Sequence, residues 1–411
     1  MTNRNKGRTV HVNVFGALFF TMLMWAGTPA ESPVADAAMQ GDAGQVRALL
    51  RTGADVNAAQ GDGMTALHWA AETGNDEMAQ MLLYAGANVG AVTRLGDYTP
   101  LHLASKGGRV AVLRTLLGAG SDVSAATSTG AVRALHFAAA SGNVEAISAL
   151  LEHGAEVDVA ESRRGQTPIM FAASAGRTPA VRRLLEAGAD PNRATLVVDI
   201  PARAQEDRAA GQVRDQVLSA FRGDQPEGST WQPSPSEVQA AVRVANAARS
   251  HGADAASEED SAEVDPDLNA RGGARGAGAA PGEYSSSYAD LVYAEGGLTA
   301  LHHAVREGEV NATMALLDGG ADIDRVTLGD LTSPILMATI NGHFDLALDL
   351  LERGADPNIA SHAGTTPLYA AINTMWAPKA RYPQQQAYQQ QENTHLDVMK
   401  ALLEAGADPN V

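Results

Sequence analysis

One phrase recurs along this chain: an apolar stretch ending in two leucines, then a glycine and a small residue, usually followed by an acid or its amide. The marking glycines are Gly53, Gly86, Gly120, Gly154 and Gly188, then Gly320, Gly354 and Gly406. Within the first group, and again between Gly320 and Gly354, they stand 33 or 34 residues apart. Self-similarity at one fixed period specifies a stacked array, because each unit can bury its apolar faces only against its neighbours. The 411 residues therefore need not divide into conventional globular domains.

A second signature opens each unit: Thr65-Ala-Leu-His68, Thr99-Pro-Leu-His102, Arg133-Ala-Leu-His136, Thr167-Pro-Ile-Met170, Thr299-Ala-Leu-His302, Ser333-Pro-Ile-Leu336 and Thr366-Pro-Leu-Tyr369. Thr or Ser caps a helix start, and Pro in the first turn loses no needed hydrogen bond. Ala104, Ala138, Ala172 and Ala304 keep that helix thin, and Gly74, Gly108, Gly142, Gly176, Gly308 and Gly342 fall where a tight turn joins a second helix. These motifs resemble the ankyrin repeat over residues 33–195 and 296–411. The resemblance implies an all-α solenoid of β-turn fingers and antiparallel helix pairs. Residues 31–195 hold an N-terminal cap and four units. The cap is the first unit, which keeps Leu49-Leu50 and Gly53 but is more polar, with Asp36, Gln40 and Asp42. Residues 296–411 hold three more units, and the last ends with its next stacking face uncovered. That expectation leaves two alternatives, a longer array or a partner on that face.

Two segments break the period. Residues 196–295 form a long insertion. Its first half favours helices over 202–221 and 236–250, and His251-Gly252-Ala253-Asp254 resembles the end of a degenerate unit. Its second half joins an acidic run, Glu258 to Asp267, to a Gly-rich tract and reads as a flexible linker. That tract lacks the Lys-Ser/Thr and the preceding apolar strand of a phosphate loop. The insertion replaces a finger, so it is either a recognition element or a tolerated loop, since long insertions cost little. The second break, at 374–393, carries Trp376, Arg381, Tyr382 and a glutamine cluster. Trp and Tyr beside Arg are typical of interface hot spots; alternatively Trp376 folds back on the stack. The long insertion with a Gln-rich loop resembles a subfamily of exported bacterial ankyrin proteins.

Compartment is read from residues 1–30. Arg4, Lys6 and Arg8 precede an apolar stretch from Val14 to Trp25, and Thr28-Pro29-Ala30 supplies a small-residue exit. That is the pattern of a secretory signal peptide, too short to span a bilayer comfortably. The expectation is export to a periplasm or beyond, with no stable membrane insertion after cleavage; the alternative is an N-terminal anchor. The net charge of −18 argues against nucleic-acid binding, and the absence of cysteine excludes disulfides, thiolate metal sites and cysteine nucleophiles.

Chemistry finds little purchase. No Gly-x-Ser-x-Gly elbow, Walker loop or His-Glu-x-x-His occurs. His68, His102 and His136 recur once per unit, and layers roughly 8–10 Å apart cannot gather them on one metal whose bonds are about 2 Å. From the resemblance, this histidine braces the finger, and the adjacent His302 and His303 point to different helix faces. No catalytic residue, cofactor or metal is assigned. The residues free to meet a partner lie on finger tips and inner-helix ends: Arg94, Tyr98, Lys106, Arg133, Arg163, Arg164 and Arg306, with Trp376, Arg381 and Tyr382 in the late loop. Arginines on the fingers of an acidic protein suggest a locally positive face for an acidic protein partner, unless they are ordinary solvated positions. The expected function is a non-enzymatic protein–protein interaction scaffold. Two alternatives are an accessory or immunity-type protein sequestering one enzyme or toxin and, last, an enzyme with its site in the insertion.

Overall fold

The computed structural model describes residues 32–223, 232–257, 294–376 and 390–410. Among them, eight helix pairs stack as successive layers. Layer 1 is α1 (Pro33–Met39) with α2 (Ala43–Arg51), and layer 2 is α3 (Ala66–Thr73) with α4 (Asp76–Tyr84). Layers 3 to 5 are α5 (Pro100–Lys106) with α6 (Val110–Gly118), α7 (Ala134–Ser141) with α8 (Val144–Glu152), and α9 (Pro168–Ser174) with α10 (Thr178–Glu186). The insertion supplies β1 (Val197–Asp199), α11 (Ile200–Arg222), α12 (Pro235–Ser257) and β2 (Ala294–Gly296). Layers 6 to 8 are α13 (Ala300–Glu307) with α14 (Val310–Asp318), α15 (Pro334–Ile340) with α16 (Phe344–Glu352), and α17 (Pro367–Trp376) with α18 (His395–Glu404). The architecture is the repeat solenoid that the period implied.

The period is legible in the packing. Ala104, Ala138, Ala172 and Ala304 are fully buried, so inner helices approach closely. Leu82, Leu116, Leu150, Leu184, Leu316, Leu350 and Leu402 fill the layers from the outer helices. Each marking glycine follows an outer helix with φ between 83° and 92°, the left-handed region that side chains avoid. A second left-handed column crosses the finger tips: Gly63, Asp97, Ala131, Gly165, Gly297, Leu331 and Gly364. Leu331, at φ 59°, is a bulky residue held in a conformation that costs roughly 1–2 kcal/mol.

The insertion does not interrupt the stack, because α9 packs directly on α13 and α10 on α14. It leaves and re-enters through one finger, whose stem is an antiparallel pair with Val197 opposite Gly296 and Asp199 opposite Ala294. Helices α11 and α12 lie against each other, with Ala210, Ala241 and Ala245 buried. His251-Gly252-Ala253-Asp254 lies within α12 rather than in a repeat-ending turn. The acidic run and the Gly-rich tract fall outside the described residues, as does most of the late loop.

Candidate interaction surface

The fingers form one hydrogen-bonded ladder. The backbone N–H groups of Arg94, Ser128, Ser162, Leu196 and His362 donate to the carbonyls of Asp62, Gly96, Gly130, Arg164 and Asp330 at 2.7 to 3.1 Å. At the split finger, Gly297 donates to Leu196 at 3.3 Å and Leu328 to Gly297 at 3.4 Å. The row is therefore continuous from layer 2 to layer 8 despite the insertion.

The recurring histidines hold this row. Nδ1 of His68, His102, His136 and His302 accepts the backbone N–H of Thr65, Thr99, Arg133 and Thr299 at 3.0 to 3.2 Å. This is a capping box in which imidazole takes the place of Glu or Gln. Nδ1 accepts, so Nε2 carries the proton and donates to the finger ahead: to Tyr98 and Ala125 at 3.0 Å, and to Gln166 and Thr332 at 3.2 Å. Burial disfavours the charged imidazole in all four, lowering His136 and His302 to about 4 against weaker opposition from those carbonyl bonds. Both nitrogens of each ring are engaged and the rings stay neutral. Among the described residues, no group of three or more His, Asp or Glu side chains is placed to hold a metal ion.

Beside the fingers, the position after each histidine, or after Met170 and Leu336 that stand in its place, lines the inner helices with Trp69, Leu103, Phe137, Phe171, His303 and Met337. Phe137 packs with its ring 5.8 Å from both Tyr98 and His102, and Phe171 lies 5.2 Å from His136. Trp69, Phe137, Phe171 and Met337 are half-buried, so an apolar stripe stays accessible next to the fingers.

The arginines and aromatics expected on this surface occupy several different settings. Arg163 and Arg164 are exposed, and their backbone N–H groups donate to buried Glu161 at 2.8 and 2.6 Å. Glu161, which also accepts from Gln166, fixes that finger tip and carried no signal in the sequence. Lys106 is exposed at the end of α5. Arg94 is exposed but donates Nη1 to the Gly61 carbonyl at 2.6 Å. Arg133 pairs with Glu156 at 3.3 Å, and Arg306 with Glu307 at 3.0 Å. Tyr98 is half-buried in the aromatic cluster. Trp376 ends α17, but its side chain, with Arg381 and Tyr382, lies outside the described residues.

The join between layers 5 and 6 departs from the pattern. Met170 replaces the bracing histidine; its sulfur accepts from Thr167 N–H at 3.4 Å, and it has no proton to give to the next finger. At the other edge, the first residue of the outer-helix cap donates to the layer before: Arg109 to Glu72, Asn143 to Gly108, Arg177 to Ala140 and His343 to Arg306, at 3.1 to 3.3 Å. Glu309 occupies that position over Gly176, and a carboxylate cannot donate to a carbonyl. Thr167 Oγ1 and His303 Nδ1 are buried here without a hydrogen-bond partner. His303 is pushed down to about 3, first by burial and then by the positive charges of Arg306 and Arg164.

The late loop is tied at its exit. Asp345 accepts the backbone N–H groups of Glu392 and Asn393 and the Asn393 side chain, all at 2.8 to 2.9 Å. Burial raises the Asp345 carboxyl, but these donors outweigh it and hold the group below the ordinary range. Asn57, Asn192 and Asn358 similarly bridge to the following layer, accepting from Asn88, Asp322 and Asp408 at 2.7 to 2.9 Å.

Comparison with known proteins agrees with this geometry. The family described as Ankyrin repeats (3 copies) matches residues 34–127, 126–195 and 285–361. The B-cell lymphoma 3 protein homolog of Mus musculus is 38% identical over 85 residues, 21% of this chain and 19% of that protein. The probable E3 ubiquitin-protein ligase XBOS33 of Oryza sativa subsp. japonica is 38% identical over 69 residues, 16% of this chain and 13% of that protein. Each match thus spans less than a fifth of the curated relative's length.

Proposed function

This chain belongs to the ankyrin-repeat family, whose repeats generally mediate protein–protein interaction, and from that premise we propose that it is a non-enzymatic scaffold holding one protein partner. The observation that carries this reading is the unbroken finger ladder beside a half-buried stripe of Trp69, Phe137, Phe171 and Met337. Aromatic side chains offer rigid apolar contact area at low entropic cost, the Met337 thioether adapts to the surface it meets, and a hydrogen-bonded rim keeps that surface preorganised. The partner face is acidic where it meets Arg163 and Arg164, whose charges stand exposed on a protein of net charge −18. The basic and then apolar residues 1–30 support export, so the scaffold acts outside the cytoplasm.

The test is affinity capture with wild-type protein and the R163E/R164E variant, followed by mass spectrometry. A partner retained stoichiometrically by the wild type and lost from the variant supports the reading. Equal retention by both overturns the acidic-face assignment. Mass analysis of the native protein tests export: a mature chain beginning after Ala30 is expected, and one retaining residues 1–30 contradicts cleavage.

A further inference from the structure

The join between layers 5 and 6 contains a polar group at a position that the neighbouring layers fill with apolar side chains. His303 aligns with Phe137 and Phe171 of the two preceding layers and Met337 of the next. It is only 4% exposed, so a polar ring occupies space that an apolar one would fill without cost. The Gln166 amide nitrogen lies 3.4 Å from His303 Nε2 and donates to it. The ring proton then sits on Nδ1, and that N–H is buried with no acceptor. Arg306 lies one helical turn further along α13, on the same side as His303. Arg164 lies on the finger two residues before Gln166, and both guanidiniums act electrostatically on the ring.

Two of the protein's own acids near this cluster are already engaged. Glu161 is taken by three backbone N–H groups of its finger. Glu307 pairs with Arg306 at the exposed edge. The Arg164 guanidinium, the Arg306 N–H groups beyond the Nε that Glu307 takes, and a buried neutral donor without an acceptor are left together, and what satisfies all three is an anion with two acceptor oxygens.

We propose that Arg164, His303 and Arg306 form a subsite for one carboxylate side chain of the partner, an Asp or Glu at the centre of its docking surface. This rests on the scaffold reading and places its acidic contact at one layer join. One carboxylate oxygen meets the guanidiniums, a strong charge-assisted arrangement. The other accepts the Nδ1 proton after the ring turns toward the incoming group. The Gln166 amide keeps its bond to Nε2 and fixes the tautomer.

The test uses the full chain with 13C-labelled histidine and two capped peptides, hexaglutamate and hexaglutamine, in about 0.15 M salt so that long-range repulsion is screened. Hexaglutamate is expected to shift the His303 imidazole resonance saturably, and hexaglutamine to leave it unmoved. R164A/R306A should weaken hexaglutamate binding about tenfold or more, and R164K/R306K should restore part of it by returning charge without the planar fork. The alanine variant keeps the backbone bonds of Arg164, and H303F follows the neighbouring layers, so both should fold. An unmoved His303 resonance, or unchanged affinity in R164A/R306A, overturns the subsite. If the captured partner binds R164A/R306A as tightly as wild type, the subsite falls and the scaffold stands. If wild type takes hexaglutamate through His303 but captures no protein, the subsite stands and the scaffold falls.

Discussion

The imidazole Nε2 of His136 donates to the backbone carbonyl of Gln166 at 3.2 Å, carrying the capping box of layer 4 into the finger of layer 5. The same carbonyl accepts the Glu161 N–H at 3.0 Å, so one oxygen fixes both the finger and the layer that precedes it. In layer 6, His302 repeats the arrangement with Thr332.

Removing that link should be costly. His302→Ala deprives the Thr299 N–H and the Thr332 carbonyl of a partner and opens a cavity at a fully buried site. A loss of about 2–3 kcal/mol is expected by urea unfolding. A change within about 0.5 kcal/mol, the range of an ordinary surface substitution, would contradict the bracing role.

Acid should weaken the array in a defined window. The folded values of about 4 for His136 and His302, and about 3 for His303, lie below the ordinary 6.5. The unfolded chain therefore binds protons that the folded chain refuses as pH falls below 6.5. Stability is full above that pH and is lost progressively down to the folded values, by about 2 kcal/mol per histidine at pH 5. Urea midpoints at pH 7.5, 6 and 5 measure it. The midpoint should fall, and H303F should flatten the slope.

Met170→His should strengthen the join between layers 5 and 6. The Leu298 carbonyl, which accepts the Thr195 N–H at 2.9 Å, stands where the Gln166 and Thr332 carbonyls stand in their fingers. A histidine at 170 would reach it as His136 reaches Gln166, adding about 1 kcal/mol. Thermal unfolding checks this; a lower midpoint would show that the join is built for methionine.

How much of this was legible in the sequence follows from the physics of repetition. A bracing histidine, a capping threonine and a left-handed glycine recur because every layer poses the same local problem, so their roles could be read from the beat. Glu161 and Asp345 solve problems posed once each, by a finger tip and a loop exit. Nothing periodic marks them. The arginines of the fingers and inner-helix ends were identifiable as charges, but their pairings were not: Arg133 reaches Glu156 across 23 residues, and Arg306 turns to its neighbour Glu307.

Asp345→Ala should release the late loop locally. Its carboxylate fixes the backbone at Glu392 and Asn393 just before α18 begins. Hydrogen exchange should show lost protection over 392–400 while the earlier layers exchange as in wild type. Unchanged protection there would mean that packing on α16, rather than Asp345, holds α18.

The most direct test of the scaffold is hydrogen exchange of the chain bound to its captured partner. Protection is expected at the finger tips of layers 3, 4, 5 and 7, over 94–98, 128–133, 162–166 and 328–331, and along the inner helices that carry Phe137, Phe171 and His303. Protection confined to the outer helices, with the fingers exchanging as in the free chain, would contradict it.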